Sequence, residues 1–248
     1  MFVQWLLQLL CLLIIVEGDN VEDRIIGGYV VAKNSVTYMA SVQSPSGHFC
    51  GGALVSQQWV LTAAHCFYPI NQLTIVLGLY NLSLPGPTVQ TFSVVDVALH
   101  PQYNQTSLNY DAMLLKLKVK AALTVAVKPV TLPSQGGTFS VSLCTAYGWG
   151  VTKTNGFALS DLLQGVDIPV VNQTQCNSKY RGAITANMIC AGVEGKDTCK
   201  GDSGGPFICS GRLQGITSWG YSCATQFPGV YTKVANIRTW IDNILANK

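Results

Sequence analysis

The chain has 248 residues, 48% of them hydrophobic and only 11% charged, with 24 Gly and a formal net charge of +3. That length gives room for one large all-β domain or two small ones around buried cores. The composition excludes a coiled coil, a charge-rich nucleic-acid arm and an intrinsically disordered chain. Lys116, Lys118 and Lys120 form the densest basic run, and their period-two spacing predicts the wet face of a strand.

In chain order, Met1 to Val16 are almost wholly apolar, interrupted by Gln4 and Gln8, and small residues at Val16 and Gly18 precede a plausible cut. This pattern predicts a secretory signal peptide over 1–18, although its start carries no Lys or Arg. The run is shorter than the roughly 20 apolar residues that span a bilayer, so no membrane attachment is expected after cleavage. Of nine Cys, loss of Cys11 would leave eight, an even number suited to disulfides in an oxidising, extracellular compartment. Removing residues 1–24 takes one basic and four acidic side chains from totals of 15 and 12, leaving +6. Neither basic clustering nor aromatic interleaving points to nucleic acid.

Short apolar or alternating runs separated by turn residues follow. Val30–Val31, Met39–Gln43, Ala53–Val55, Leu73–Leu77, Phe92–Leu99 and Met113–Val119 predict a first set of strands. Val141–Trp149, Leu162–Pro169, Pro206–Ile208, Leu213–Trp219 and Gly229–Val234 predict a second. The interval Lys120–Gly137, with Pro129, Pro133 and Gly136, reads as the link between two β-barrels. Ile237, Trp240, Ile241, Ile244 and Leu245 fall at helical spacing and predict a terminal docking helix with Asn236 as N-cap. Its polar face carries only Arg238, Asp242 and Lys248 as charges, which argues against a membrane-surface helix.

Chemistry concentrates in three places. In Gly201-Asp202-Ser203-Gly204-Gly205-Pro206, the glycines allow a tight turn that could present Ser203 and aim backbone N–H groups at a developing oxyanion. A serine nucleophile needs a base, and His65 stands in Leu61-Thr62-Ala63-Ala64-His65-Cys66, where it reads either as a loop residue or as that base. Zinc is disfavoured, because neither CxxC nor HxxxH spacing accompanies it. Asp111, in Asn109-Tyr110-Asp111-Ala112-Met113, opens an apolar strand and is either an unexplained burial cost or the orienter of an imidazole.

Taken in the order His, Asp, Ser, these motifs resemble those of the secreted serine proteases of the trypsin and chymotrypsin family, over essentially the whole chain after residue 24. The resemblance implies an all-β fold of two packed six-stranded antiparallel barrels with a C-terminal α-helix. It implies that Ser203 attacks the scissile carbonyl, His65 moves the proton, Asp111 orients the imidazole, and Gly201 and Ser203 N–H groups form the oxyanion hole. Arg24-Ile25-Ile26-Gly27-Gly28 is similar to the family's activation junction, implying an activation peptide over 19–24, a protease domain over 25–248, and pairing of a freed Ile25 amino group with Asp202. Asp197 matches the floor of the primary specificity pocket and Ser218, Gly220 and Gly229 its walls, implying cleavage after Lys or Arg. Eight Cys permit 105 connectivities; the resemblance implies Cys50–Cys66, Cys144–Cys209, Cys176–Cys190 and Cys199–Cys223. Val31 and Gly165 stand where digestive trypsins carry a further bridge.

The family's calcium loop corresponds to Leu79–Val89, which contains no carboxylate, so no metal or other cofactor is expected. Protein or peptide substrates, an activating protease and protein protease inhibitors are the partners implied, for an enzyme expected to act as a monomer. A catalytically silent binding protein is the rival reading, but such relatives usually lose a triad residue, and all three are present. Lys200, beside the oxyanion loop, would favour acids near the cut. Asn81, Asn104 and Asn172 begin N-x-S/T sequons.

Overall fold

Short β-branched and aliphatic runs, punctuated by Gly and Pro, form antiparallel strands in a computed structural model that describes residues 25–138, 143–153 and 156–248. The predicted signal peptide, residues 19–24 with Arg24, and Cys11 lie outside the described residues. A two-residue strand β1 (Tyr29–Val30) comes first. Strands β2 (Met39–Ser44), β3 (Gly47–Ser56), β4 (Trp59–Thr62), β5 (Thr74–Leu77), β6 (Gln90–Leu99) and β7 (Met113–Leu117) close a barrel in the order β2-β3-β4-β7-β6-β5. A second barrel contains β8 (Leu143–Gly148), β9 (Gln164–Val171), β10 (Met188–Ala191), β11 (Pro206–Cys209), β12 (Arg212–Trp219) and β13 (Gly229–Lys233). Its order is β9-β10-β13-β12-β11-β8, closed by pairing of β8 with β9, and β1 adds to β9. Leu54, Val60, Leu61, Ile75 and Leu114 belong to the buried core around the first barrel; Ile25, Val166, Ile168, Phe207 and Tyr231 belong to that of the second. Successive side chains on a strand point to opposite faces, and where both faces are covered, as along β4, both are buried.

The link runs over residues 118–138 without helix or strand, stitched to both barrels: Val130 N–H donates to Leu54 O and Leu213 N–H to Thr131 O, each at 2.9 Å. Strand β7 ends at Leu117, so Lys118 and Lys120 lie beyond the sheet and the predicted strand face stops early; Val119 is exposed. Two strands escape the sequence pattern, β4 and β10, because all four residues of each are buried and none alternates.

A polar helix α1 (Gln173–Lys179) escapes it too, having one buried residue, Cys176, and so no apolar stripe; its signal is the cap Asn172. The final helix α2 (Val234–Asn247) starts earlier than expected, with Lys233 rather than Asn236 at the N-cap. The Asn236 amide instead donates to Ala186 O and Asn187 Oδ1, both at 3.0 Å, tying the first turn to the second barrel. No described helix is long and apolar enough to cross a membrane.

Val31 and Gly165 meet where β1 joins β9: a Cβ built on Gly165 would lie 3.2 Å from Val31 Cγ1. The double variant Val31→Cys/Gly165→Cys is expected to close a disulfide and, across so long a loop, to add about 2 kcal/mol or more of stability. Melting of its oxidised and reduced forms checks this, and equal midpoints would count against it.

Candidate active site

His65 sits on a 3₁₀ turn, Ala64–Cys66, at the end of β4, and the Cys50–Cys66 disulfide ties that turn to β3. Asp111 lies two residues before β7, whose first residue, Met113, pairs with Thr62 at the end of β4, and is fully buried. Its Oδ2 accepts from His65 Nδ1 at 2.7 Å and from the Ser218 hydroxyl at 2.5 Å, and its Oδ1 accepts the His65 backbone N–H at 2.9 Å. The two open readings of Asp111 therefore resolve: the burial cost is offset by hydrogen bonds that also orient an imidazole. With its proton on Nδ1 facing a carboxylate, the ring keeps a lone pair on Nε2.

The backbone on both sides of Asp111 is braced by His100, which the sequence reading passed over. Tyr110 adopts φ +55°, a conformation costly for a bulky residue, and its ring stacks on His100 at 4.5 Å and 3°. Trp240 from α2 meets the same imidazole in a T-shaped contact with ring centroids 5.0 Å apart, and the His100 backbone N–H donates to Ala112 O at 3.0 Å. Burial lowers the His100 pKa, so the clamp holds a neutral ring.

Ser203 arrives from the second barrel. Gly204 has φ +77°, and a Cβ there would fall 2.1 Å from Thr62 Oγ1 and 2.6 Å from Gly51 O, so only glycine allows the two barrels to approach this closely. Gly51 N–H donates to Ser203 O at 2.7 Å, fixing the nucleophile candidate against the strand that anchors the His65 turn. The Ser203 hydroxyl makes no hydrogen bond among the described residues.

The N–H groups of Gly201 and Ser203 are also free donors among the described residues. The direction of the Gly201 N–H has a cause. Val151 N–H donates to Lys200 O at 2.8 Å, and in a trans peptide this turns the Gly201 N–H away from Val151. On the next peptide, His48 Nε2 donates to Gly201 O at 3.0 Å while its Nδ1 accepts from Ser41 Oγ at 2.8 Å. A carbonyl only accepts, so the tautomer is the Nε2–H form, and burial lowers the His48 pKa. His48 is another residue the sequence reading missed; its position two residues before Cys50 was its one local signal.

Beside Ser203 opens a cavity of about 250 Å³ lined by Asp197, Ser218, Gly220, Gly229 and the Cys199–Cys223 disulfide. Asp197 is 3% exposed; Thr198 N–H donates to its Oδ1 at 2.8 Å and Ala224 N–H to its Oδ2 at 3.2 Å. Burial pushes its pKa up to about 7, with these N–H groups opposing and the charge of Asp202 adding. A Cβ on Gly229 would lie 2.6 Å from Asp197 Oδ1, and one on Gly220 3.8 Å from Gly229 Cα, so a side chain at either position would intrude on the pocket.

A family model described as Trypsin matches residues 25–241. The chain belongs to the trypsin family. It is 47% identical over 241 residues to a trypsin of Xenopus laevis, covering 96% of this chain and 98% of that protein. It is 45% identical over 232 residues to trypsin-3 of Salmo salar, with 92% and 96% covered, and 45% over 233 residues to trypsin I-P1 of Gallus gallus, with 93% and 92% covered. It is thus a serine endopeptidase.

In this trypsin-family enzyme Asp202 is fully buried, its Oδ1 accepting from Gly150 N–H at 2.8 Å and its Oδ2 from Cys199 N–H at 2.9 Å. Burial raises its pKa to about 7 despite those donors. A Cβ on Gly150 would approach Asp202 Oδ2 to 2.3 Å and one on Gly148 its Oδ1 to 2.0 Å, so the niche is shaped for this carboxylate. Ile25 is also fully buried, and Gly27, at φ +69°, packs so closely on Gly195 O that a Cβ would reach 2.2 Å.

The remaining bridges join Cys144 to Cys209 between β8 and β11, and Cys176 to Cys190 between α1 and β10. In the loop that corresponds to the family's calcium site, Asn81 Oδ1 is occupied by the N–H groups of Ser83 and Leu84. Asp161, a carboxylate brought to this loop, takes the Ser83 hydroxyl. That donor set does not suit a hard cation. Cys50, His65 and Cys66 cluster within 4.8 Å, but their sulfurs are spent on a disulfide.

Proposed function

We propose that this enzyme is made as a secreted zymogen, is activated by cleavage after Arg24, and then hydrolyses peptide bonds after Lys or Arg through an acyl-enzyme. The observation that carries the specificity is the buried Asp197 carboxylate at a glycine-walled cavity that also includes Ser203. A guanidinium or ammonium is the group that neutralises it, and Asp197 keeps acceptor capacity beyond its two backbone bonds.

In the proposed cycle a basic side chain enters the cavity and presents the next carbonyl to Ser203. His65 Nε2 takes the hydroxyl proton, Asp111 steadies the imidazolium through Nδ1, and the free N–H groups of Gly201 and Ser203 receive the oxyanion. His65 then returns the proton to the leaving amine, and water repeats the sequence on the acyl-enzyme. Protein or peptide substrates, an activating protease that cuts after Arg24, and protein inhibitors that fill the same pocket are the partners this reading requires.

Asp197→Ser is expected to abolish the preference for basic residues while an active-site-directed acylating reagent still labels Ser203; an unchanged preference would overturn the pocket assignment. Acid should act in the same direction. A cationic aryl amidine binds only the ionised carboxylate, so as pH falls through about 7 a proton competes and the dissociation constant rises. In Asp197→Ser that pH dependence should vanish.

A further inference from the structure

We propose that Asn104 and Asn172 carry N-linked glycans in the secreted enzyme and that Asn81, the third sequon asparagine, does not. The proposal rests on the secretion put forward above. All three carboxamides share one local geometry. Asn104 Oδ1 accepts from Thr106 N–H at 3.0 Å and Ser107 N–H at 2.9 Å; Asn172 Oδ1 accepts from Thr174 N–H at 2.9 Å and Gln175 N–H at 3.3 Å; Asn81 Oδ1 accepts from Ser83 N–H at 2.8 Å and Leu84 N–H at 2.9 Å. The bonds identify the oxygen, so the other atom is Nδ2, and none of the three Nδ2 groups donates a hydrogen bond among the described residues.

What separates the three is the surroundings. Asn104, Gln105 and Thr106 are all exposed, as are Asn172, Gln173 and Thr174, and the hydroxyls of Thr106 and Thr174 are free among the described residues. Asn81 is half-buried and its sequon hydroxyl, on Ser83, is bonded to Asp161; its β-bridge runs to Leu162 in a distant segment, whereas the β-bridge of Asn104 runs to Asn109 within its own exposed loop. A bulky hydrated oligosaccharide stays in solvent at the first two positions, whereas at Asn81 it competes with the contact between this loop and residues 161–162. Asn104 lies in the loop between β6 and β7 that leads to Asp111. Asn109 fixes that loop to the second barrel by accepting from Thr185 Oγ1 at 2.8 Å and Asn187 Nδ2 at 3.1 Å, so a sugar there has a rigid base.

The modifying step is a substitution with no redox change. Nδ2 forms a bond to C1 of a lipid-diphosphate-linked oligosaccharide, the C1–oxygen bond to the diphosphate breaks, the lipid diphosphate leaves with that electron pair, and one amide proton is lost.

The test is to express the full chain in a glycosylating eukaryotic cell, collect the secreted protein, release N-glycans enzymatically in ¹⁸O-water, and map peptides for the labelled Asp left at each modified position. Label at 104 and 172 and none at 81 is expected, and Asn104→Gln and Asn172→Gln should each remove one glycan from the intact mass. A secreted protein unlabelled at 104 or 172, or labelled at 81, overturns the proposal. Unlabelled chain retained wholly inside the cell overturns the secretion reading instead, and this proposal with it.

Discussion

Asp111→Asn is expected to lower kcat by about 10⁴-fold at neutral pH, the size known for this exchange in the family's triads, with KM little changed. The hydrogen bonds dictate the result. Asp111 accepts from three donors, the His65 backbone N–H, His65 Nδ1 and the Ser218 hydroxyl, and an amide offers only one acceptor atom. With its NH₂ toward the ring, the amide demands a lone pair on Nδ1, and the proton moves to Nε2, the atom that must accept from Ser203. With the NH₂ toward the His65 backbone, two donors face each other. Neither His65 nor Asp111 lines the pocket that Asp197 closes, so a cationic aryl amidine should bind the variant as it binds the parent. Steady-state kinetics with that binding measurement check the split, and a matched loss of both would point to misfolding.

An uncut chain, Arg24→Gln, is expected to be less active than the processed enzyme by at least 10²-fold, the scale of losing one oxyanion donor. Asp202 adjoins both Gly201 and Ser203 and is buried with only two backbone N–H donors. Its raised pKa shows how poorly the niche tolerates a lone carboxylate. A buried acid whose pKa rises from the unfolded value to about 7 binds its proton more tightly when folded, so stability falls as pH climbs between those values. The ammonium freed on Ile25 would reverse that penalty by favouring the carboxylate. Processing should therefore raise the melting temperature more at pH 8 than at pH 5, and Asp202→Asn should remove the difference. An equal shift at both pH values would contradict the pairing.

Much of this was legible in the chain. Short apolar or alternating runs between turn residues mark most strands of both barrels, and the Gly201–Pro206 turn, the His65 segment and the Asp111 segment stand out by local chemistry. What local pattern could not carry was partnership at long range. His48 reaches Gly201 O across 153 positions, and its own neighbours in sequence say nothing of an oxyanion loop. His100 looks like an ordinary His before a Pro until Tyr110 and Trp240 enclose it. Ser218 lines the cavity beside Ser203, yet its hydroxyl serves Asp111. The strands β4 and β10 are too short and too uniformly buried to show a period, and α1 hides because only Cys176 faces inward.

The central claim, a serine endopeptidase directed to basic residues by Asp197, is tested most directly by cutting the purified chain after Arg24 and incubating it with a proteome-derived peptide library. New C-termini read by mass spectrometry should be Lys and Arg almost throughout, and Ser203→Ala should fall by about 10⁶-fold in kcat, the scale of losing a catalytic serine. New C-termini spread over aromatic or aliphatic residues, or cleavage that survives Ser203→Ala, would contradict it.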